Sequence, residues 1–443
     1  MSRVANRPRV VAEPRQAVGR GGQHILRSEA PPPLDLVDIE ATVKAISESQ
    51  RDNWRFWKLY NREKGVFGFR RLNPWGLSRR EWIEKFVRVQ LKGTEDSGSG
   101  KVGPLILNEA QRRLEAQVLR MERAGLPVRI ITLKARQEGI STYIAACMLW
   151  FVFCNENVSG LIVAHKKDVS KSIFERVRTM LREMRKTEQA RWGFSLAASS
   201  RQELVLGRPF FSSITVESAE SAEPGRGMTI QFLHISEAPS WKDASVKADA
   251  LLQVLPDEPG TYGFNEATAK GPEGWFPDEF QRAKQRMEGL SSGGHSTAGF
   301  GWVAMFFPWY IYQAYRWTSV YKRDLPSDLA NQIRATATPE ELDLLQTSYL
   351  RRGVGWTQVD IDQLAWRRYA IENKAHGSLQ AFFYEYPSTP AEALMVGGSP
   401  FFDPIALAGM RKHSQRPPIW VGTIEDSEGE KELARTQPTL EVA

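Results

Sequence analysis

Residues 128–155, VRIITLKARQEGISTYIAACMLWFVFCN, carry the sharpest change of hydrophobic pattern in the chain. An apolar, β-branched run enters a short polar loop with one glycine and leaves as an almost wholly apolar stretch of helical length. Strand, glycine loop and helix in that order form the layout in which backbone N–H groups and the positive end of a helix hold phosphates. The flanking periodicity repeats the theme. LNEAQRRLEAQVLRMERAGLP reads as a helix, VRIITL as a strand, TYIAACMLWFVFCN as a helix, SGLIVAH as a strand and DVSKSIFERVRTMLREMRK as a helix. Strands alternating with helices of this length imply βαβ units and a mainly parallel sheet. Phosphate-binding loops belong at the carboxyl ends of such strands.

Further along, ELVLG and SSITVES read as a hairpin, MTIQFLHIS and GTYGFNEAT as strands, FPDEFQRAKQRME as a surface helix, and WVAMFFPWY closes the core. From about Tyr321 the texture turns helical, with Thr338, Pro339 and Glu341 resembling a capping box and Thr357 with Asp360 resembling another. Upstream, Leu34 to Glu63 is amphipathic, and Trp54, Trp57 and Tyr60 place an aromatic face inward. The stretch KGTEDSGSGKVGP that ends this segment reads as a flexible connection. The expected fold is α/β, a P-loop (RecA/ASCE-like), mainly parallel sheet flanked by helices, with a small helical lid subdomain. Its parts are a flexible basic arm at 1–34, an N-terminal helical segment of the lid at 35–100, the P-loop core at 101–320, the helical lid or linker at 321–400, and a flexible acidic tail at 401–443.

Composition narrows the class. A chain of 443 residues with 42% hydrophobic content can bury a large core. No run approaches the roughly 20 apolar residues of a membrane span, and no secretory signal is visible, so a cytoplasmic protein is expected. Only Cys147 and Cys154 are present, seven apart on one helix, which excludes a disulfide framework or cysteine-based zinc site and makes both core residues. A net charge of +7 is consistent with a polyanionic partner. The arm holds Arg3, Arg7, Arg9, Arg15, Arg20 and Arg27 against Glu13 and Glu29 alone, and the acidic end EDSEGEKELARTQ reads as a solvated tail.

The loop Lys134, Ala135, Arg136, Gln137, Glu138, Gly139, Ile140, Ser141, Thr142 is irregular. Against GxxxxGK[ST], Gly139 takes the second glycine and Ser141 the Mg²⁺-binding hydroxyl, while Ile140 stands where lysine belongs and Lys134 where the first glycine belongs. From the end of its strand the Lys134 stem can reach the β and γ phosphates from the other side of the loop, so ATP with Mg²⁺ is the expected ligand. The strand MTIQFLHI delivers Ser236 and Glu237 at its carboxyl end, where ATPases place an Asp-Glu pair. Serine is a weaker metal partner, so metal binding leans on Ser141 or Thr142 with the phosphates, and Glu237 remains as the catalytic base. Arg136 in the loop and Arg226 in PGRGMT offer guanidinium groups for the charge that develops on the γ-phosphate. Thr268, in ATAKG, can sense that phosphate, and the Gln111 amide can read adenine.

Taken in chain order, these segments resemble the large terminase subunit of tailed bacteriophages, the ATPase that packages DNA into procapsids. The resemblance runs over about residues 100–400: Gln111 as the adenine motif, KARQEGIST as a deviant phosphate loop with its lysine at the front, GLIVAHKKDVSKSIF behind it, RGMTIQFLHISEAPSW as the arginine and acidic strand, NEATAKGPEGWF as the coupling motif and YEYPSTPAEAL at the end. It implies that Arg136 is a cis arginine, that Arg226 is a trans finger offered to a neighbouring subunit, and that Thr268 and Lys270 link hydrolysis to movement. The implied partners are double-stranded DNA, a portal protein and a small terminase subunit, with a homo-oligomeric ring in the host cytoplasm, transiently at the procapsid portal vertex and without a membrane. The family continues into an RNase H-like nuclease domain, yet 40 residues follow Asp403. DNA cleavage is therefore expected from a separate nuclease polypeptide, or to have been removed by truncation. Two other readings stand beside this one: a nucleic-acid helicase or translocase, which needs a second RecA-like core, and a non-hydrolysing scaffold joining DNA to a portal. Candidate phosphate-gripping pairs are Arg70 with Arg71, Arg79 with Arg80, Arg351 with Arg352, and Arg367 with Arg368.

Overall fold

The computed structural model describes residues 77–91, 101–192, 196–207, 210–268, 271–291, 301–351 and 354–395. The expectations for the basic arm, the Trp54 helix, the acidic tail, Arg70, Arg71, Lys270 and Arg352 lie outside the described residues.

The chain begins with α1 (Arg79–Phe86) and a small antiparallel pair, β1 (Arg88–Gln90) and β2 (Val102–Pro104), so the end of the glycine-serine stretch is a strand. The alternating core follows as α2 (Glu109–Arg123), β3 (Val128–Lys134), α3 (Ile140–Cys154), β4 (Ser159–Ala164) and α4 (Lys167–Trp192). Next come β5 (Leu196–Ser199), β6 (Glu203–Leu206), β7 (Ser213–Ser218), β8 (Phe232–Ser236), α5 (Ala244–Gln253), β9 (Tyr262–Ala267), α6 (Trp275–Ser291) and β10 (Val303–Phe307). The eight strands β3 to β10 form one sheet in the order β10-β3-β9-β8-β4-β7-β6-β5. Its β10 to β7 portion is parallel throughout, and β6 and β5 add an antiparallel edge, the expected hairpin being β6 with β7. The expected α/β class with a mainly parallel sheet is the one observed. One strand, β9, separates the strand that feeds the glycine loop from β8.

Both faces of the sheet are covered, and period-two alternation sorts residues between them. Val128 and Ile130 of β3, Ile162 of β4, Phe232 of β8 and Tyr262 and Phe264 of β9 join the core on the α3 side. Ile131 and Leu133, Leu161 and Val163, Leu233 and Ile235, and Ala267 face the other side, against Leu251 of α5 and Phe276 and Phe280 of α6. Helix α3 is apolar all round because it is enclosed all round: every residue except Ser141 and Thr142 is buried. Both cysteines are buried on it and free, as the sequence pattern requires.

The last part comprises α7 (Trp317–Tyr321), α8 (Ser327–Ala335), α9 (Pro339–Leu345), β11 (Ser348–Arg351), β12 (Gly355–Gln358), α10 (Ile361–Lys374), α11 (Leu379–Glu385) and α12 (Pro390–Ala393). The two-stranded ribbon β11-β12 corrects the expectation of helices alone. Thr338 and Glu341 form the expected capping box of α9. Thr357 does not cap: it lies in β12, and the box of α10 is Asp360 with Gln363. This segment shares the α3-side core, for Trp309, Trp366, Phe382 and Tyr386 belong to the same buried cluster as α3. Tyr315 stacks on Trp366 with ring centroids 4.4 Å apart. Among the described residues no helix is long and apolar enough to cross a membrane.

Candidate nucleotide site

The strand alternation that sorts the core also assembles the polar cluster. Thr132 and Lys134 on β3, His234 and Ser236 on β8 and Glu266 on β9 share the parity of the α3-facing residues, and they occupy the carboxyl ends of neighbouring strands. Parallel register sets Ser236 directly opposite Glu266, and Thr132 opposite Glu266 on its other flank. Above this group the loop 134–139 turns into α3, whose first-turn Ser141 reaches down into it.

Glu266 is the hub. Its Oε1 accepts from Ser141 Oγ at 2.8 Å and from Ser236 Oγ at 2.8 Å, and it lies 3.3 Å from His234 Nε2. Its Oε2 is 3.1 Å from Lys134 Nζ, which also stands 3.6 Å from Glu237 Oε1. Glu266 is fully buried, which opposes its charge, but Lys134 and then His234 and Ser141 hold its carboxyl well below the usual carboxylate range. Burial likewise pulls Lys134 toward neutrality, and Glu266 and Glu237 outweigh it, so the ammonium stays above its ordinary value. Glu237, at φ +55 just past β8, has its carboxyl pushed up, first by burial and against the pull of Lys134. Its Oε2 accepts from Thr268 N at 3.2 Å and Thr268 Oγ1 at 3.0 Å.

The loop itself is braced from three directions. Gly139 sits at φ +78 as the N-cap of α3, and a Cβ there would lie 2.8 Å from Gln111 Nε2. Gln111 Nε2 donates to the Gly139 carbonyl at 2.8 Å while its Oε1 accepts from Asn108 N at 3.0 Å, and Asn108 Nδ2 donates to the Glu138 carbonyl at 2.8 Å. The amide expected to read adenine is thus engaged at both ends in holding the loop, within the capping box of α2. Ile140 is buried in the α3-side core, so lysine could not point toward phosphates from that position. Ala135 is also buried and donates its N–H to the Phe307 carbonyl at 2.9 Å. Gln137 is left-handed at φ +61. Glu138 is wholly buried with neither carboxylate oxygen hydrogen-bonded among the described residues; burial pushes its carboxyl up against the opposing pull of Lys134 and Arg113.

Arg136 and Arg226 stand apart from the cluster. The Arg136 guanidinium pairs with Glu385 at 2.7 Å, its N–H donates to the Glu385 carbonyl at 2.8 Å, and the Tyr315 hydroxyl bonds its carbonyl. Arg226 is exposed and pairs with Glu223. Two of the basic pairs are spent inside the fold. Arg79 is buried against Glu115 and Glu122 while Arg80 pairs with Glu84, and Arg367 and Arg368 both bond Glu341. Of the residues singled out from the sequence, the structure gathers Lys134, Ser141, Ser236, Glu237 and Thr268. The one at their centre that sequence reading missed is Glu266, whose signal was a charged residue at core-facing parity in a buried strand.

For ATP with a divalent cation, the arrangement fits. Lys134 is shared by two carboxylates, leaving an excess of one negative charge among the three groups. Ser141 donates its hydroxyl hydrogen bond to Glu266, which leaves its oxygen lone pairs available for a hard cation. The first-turn N–H groups of α3 carry no side-chain cap. Lys134, Ser141 and Thr142 are the residues that could hold phosphates and a metal.

No family model and no curated protein matches this chain. Among solved structures it is similar to the large terminase ATPase domain of Thermus phage P74-26, with 18% identity over 51% of this chain and 89% of that one at a TM-score of 0.35. It is also similar to the large terminase of bacteriophage HK97 (14% identity, 70% and 54% covered, TM-score 0.42) and to that of a thermophilic bacteriophage in complex with ADP (11%, 53% and 51%, 0.32). The chain spans about half the length of those two whole terminases.

Proposed function

We propose that this chain binds and hydrolyses Mg-ATP, and that hydrolysis drives double-stranded DNA into a procapsid as part of a large terminase motor. The observation that carries the ATPase reading is the meeting of Lys134, Ser141 and Glu237 at the carboxyl ends of β3 and β8 and the start of α3. Each has a distinct task. Lys134 exchanges a carboxylate for the β and γ phosphates. Ser141, with Thr142 beside it, receives the cation, which neutralises phosphate charge. Glu237, held by Thr268, accepts a proton from the attacking water. Arg136 leaves Glu385 for the γ-phosphate, and because Glu385 ends α11, that exchange loosens the loop's tie to the C-terminal helices, leaving its backbone bond to the Glu385 carbonyl. Binding of adenine by Gln111 would require it to let go of Gly139.

The DNA-packaging part rests on the ordered series of motifs in the sequence and on the chain's positive charge, with contacts to phosphate oxygens that do not read sequence. Arg226, exposed and paired only locally among the described residues, is the finger offered to a neighbouring subunit in a ring. Portal protein and small terminase subunit complete the machine. The direct test is steady-state ATP hydrolysis by the purified chain with and without linear duplex DNA, beside Lys134→Ala and Glu237→Gln. Turnover stimulated by DNA and lost in both variants is expected. Absence of both hydrolysis and ATP binding in the wild-type chain overturns the reading, and hydrolysis indifferent to DNA overturns its packaging half.

A further inference from the structure

The position where an ATPase of this layout carries an aspartate is Ser236, and a serine cannot supply the negative charge. Three observations locate that charge elsewhere. First, Glu266 lies directly across the β8-β9 pairing from Ser236, one strand nearer the glycine loop, with the same sheet face. Second, the Ser141 and Ser236 hydroxyls both donate to the same oxygen, Glu266 Oε1, at 2.8 Å. Ser236 therefore acts as a donor that orients the Glu266 carboxylate. Third, the pairing excludes the ordinary residue: an aspartate at 236 would set a second carboxylate against Glu266 where a hydroxyl now bonds it, in a fully buried site.

We propose that Glu266 is the metal-positioning carboxylate of this site, transplanted from the end of β8 to the end of β9, with Ser236 as the compensating donor. The assignment rests on the nucleotide reading above. Glu266 acts through Ser141: by accepting the hydroxyl hydrogen bond it fixes the rotamer and aims the oxygen lone pairs where the cation of Mg-ATP must sit. It is a positioning residue. Lys134 on its other oxygen keeps it ionised and is the group that must shift when phosphates arrive.

The experiment measures nucleotide binding by the full chain with and without metal, using fluorescent ADP in EDTA and Mn²⁺ paramagnetic resonance with ADP present. Glu266→Gln is expected to weaken Mn²⁺ binding about 10–100-fold, the usual effect of removing a partner of a metal ligand, while metal-free ADP affinity holds or rises because Lys134 is released. Returning the charge to β8, with Ser236→Asp and Glu266→Ser together, is expected to recover most of the Mn²⁺ affinity that Glu266→Ser alone loses. This double variant also keeps one carboxylate for Lys134, so it answers the question even if the single variants fold poorly. Wild-type Mn²⁺ affinity in Glu266→Gln, equal loss of ADP with and without metal, or no recovery in the double variant overturns the assignment alone. A wild-type chain that binds ADP in neither condition overturns the nucleotide reading and this assignment with it.

Discussion

One oxygen of the Glu237 carboxylate accepts two hydrogen bonds from Thr268, from the backbone N–H at 3.2 Å and from the hydroxyl at 3.0 Å. The proposed base and the proposed phosphate sensor are therefore one unit, spanning the ends of β8 and β9. Both bonds favour the ionised carboxylate, while burial disfavours it. Thr268→Ala removes the hydroxyl bond, so the Glu237 pKa rises further and more of the base is protonated at a given pH. The acidic limb of the pH–rate profile for ATP hydrolysis is expected to move to higher pH in Thr268→Ala, with a smaller loss at alkaline pH. A limb that stays in place would separate Thr268 from the base.

Glu266 shows what the sequence offered and how it was passed over. The strand is legible as GTYGFNEAT and Thr268, in ATAKG at its end, as a phosphate sensor, while the carboxylate two positions earlier carries no local motif. Counting parity from Tyr262 and Phe264, both core residues on the α3 side, places Glu266 on that side as well. A charge there needs partners, and Lys134 on the adjacent strand was already in view. Lys134, Gly139 and Ser141 were readable because residue type changes abruptly at a strand-to-helix loop. The role of Gln111 is not, because it depends on a capping partner, Asn108, at one end of the amide and a carbonyl 28 residues away at the other. The ribbon β11-β12 escaped because each strand has four residues and half of them face solvent.

The Gly139 turn is a second point of leverage. Only glycine holds φ +78 without strain, and an added Cβ would press on the Gln111 amide that ties the loop to α2. Gly139→Ala is expected to cost about 1–3 kcal/mol of stability, the usual range for a strained backbone position. Nucleotide affinity should fall as well, because the loop and the start of α3 move together. Urea unfolding and ADP titration on the same preparation check both halves. Gln111→Ala, which keeps the backbone relaxed, should lower stability less while still loosening the loop.

Arg136 and Glu385 form an ion pair whose side chains are 57% and 40% exposed. A pair so open to water contributes about 0–1 kcal/mol, so Arg136→Ala should leave thermal stability almost unchanged. If the guanidinium turns to the γ-phosphate in turnover, its removal should slow hydrolysis by about 10³-fold or more. Glu385→Ala separates the two roles: it frees Arg136 without removing it, and is expected to raise or preserve turnover while weakening the loop's tie to α11. Equal losses in both variants would make the pair a structural clasp and nothing more.

Lys134 gives the clearest pH signature, because a buried carboxylate, Glu266, and a half-buried one, Glu237, lean on it. In the wild type the depressed Glu266 pKa contributes stability that is present above its unfolded value of about 4.3 and is lost as pH falls through the folded value. The raised Lys134 pKa contributes stability present below about 10.4 and lost as pH climbs through the folded value. Between those limits the slope comes from Glu237, whose raised carboxyl gives the wild type some added stability as pH falls. Lys134→Met leaves Glu237 and Glu266 facing each other without a cation, at a cost of about 3–5 kcal/mol for an uncompensated buried charge near neutrality. Burial and mutual repulsion then push at least one carboxyl upward, so the folded state binds more protons than the unfolded chain. The sign of the slope follows: stability of Lys134→Met should increase as pH drops from 7 toward 5, and more steeply than that of the wild type. Urea unfolding across that interval measures it, and parallel curves for the two proteins would mean that the carboxylates find another cation when Lys134 is gone.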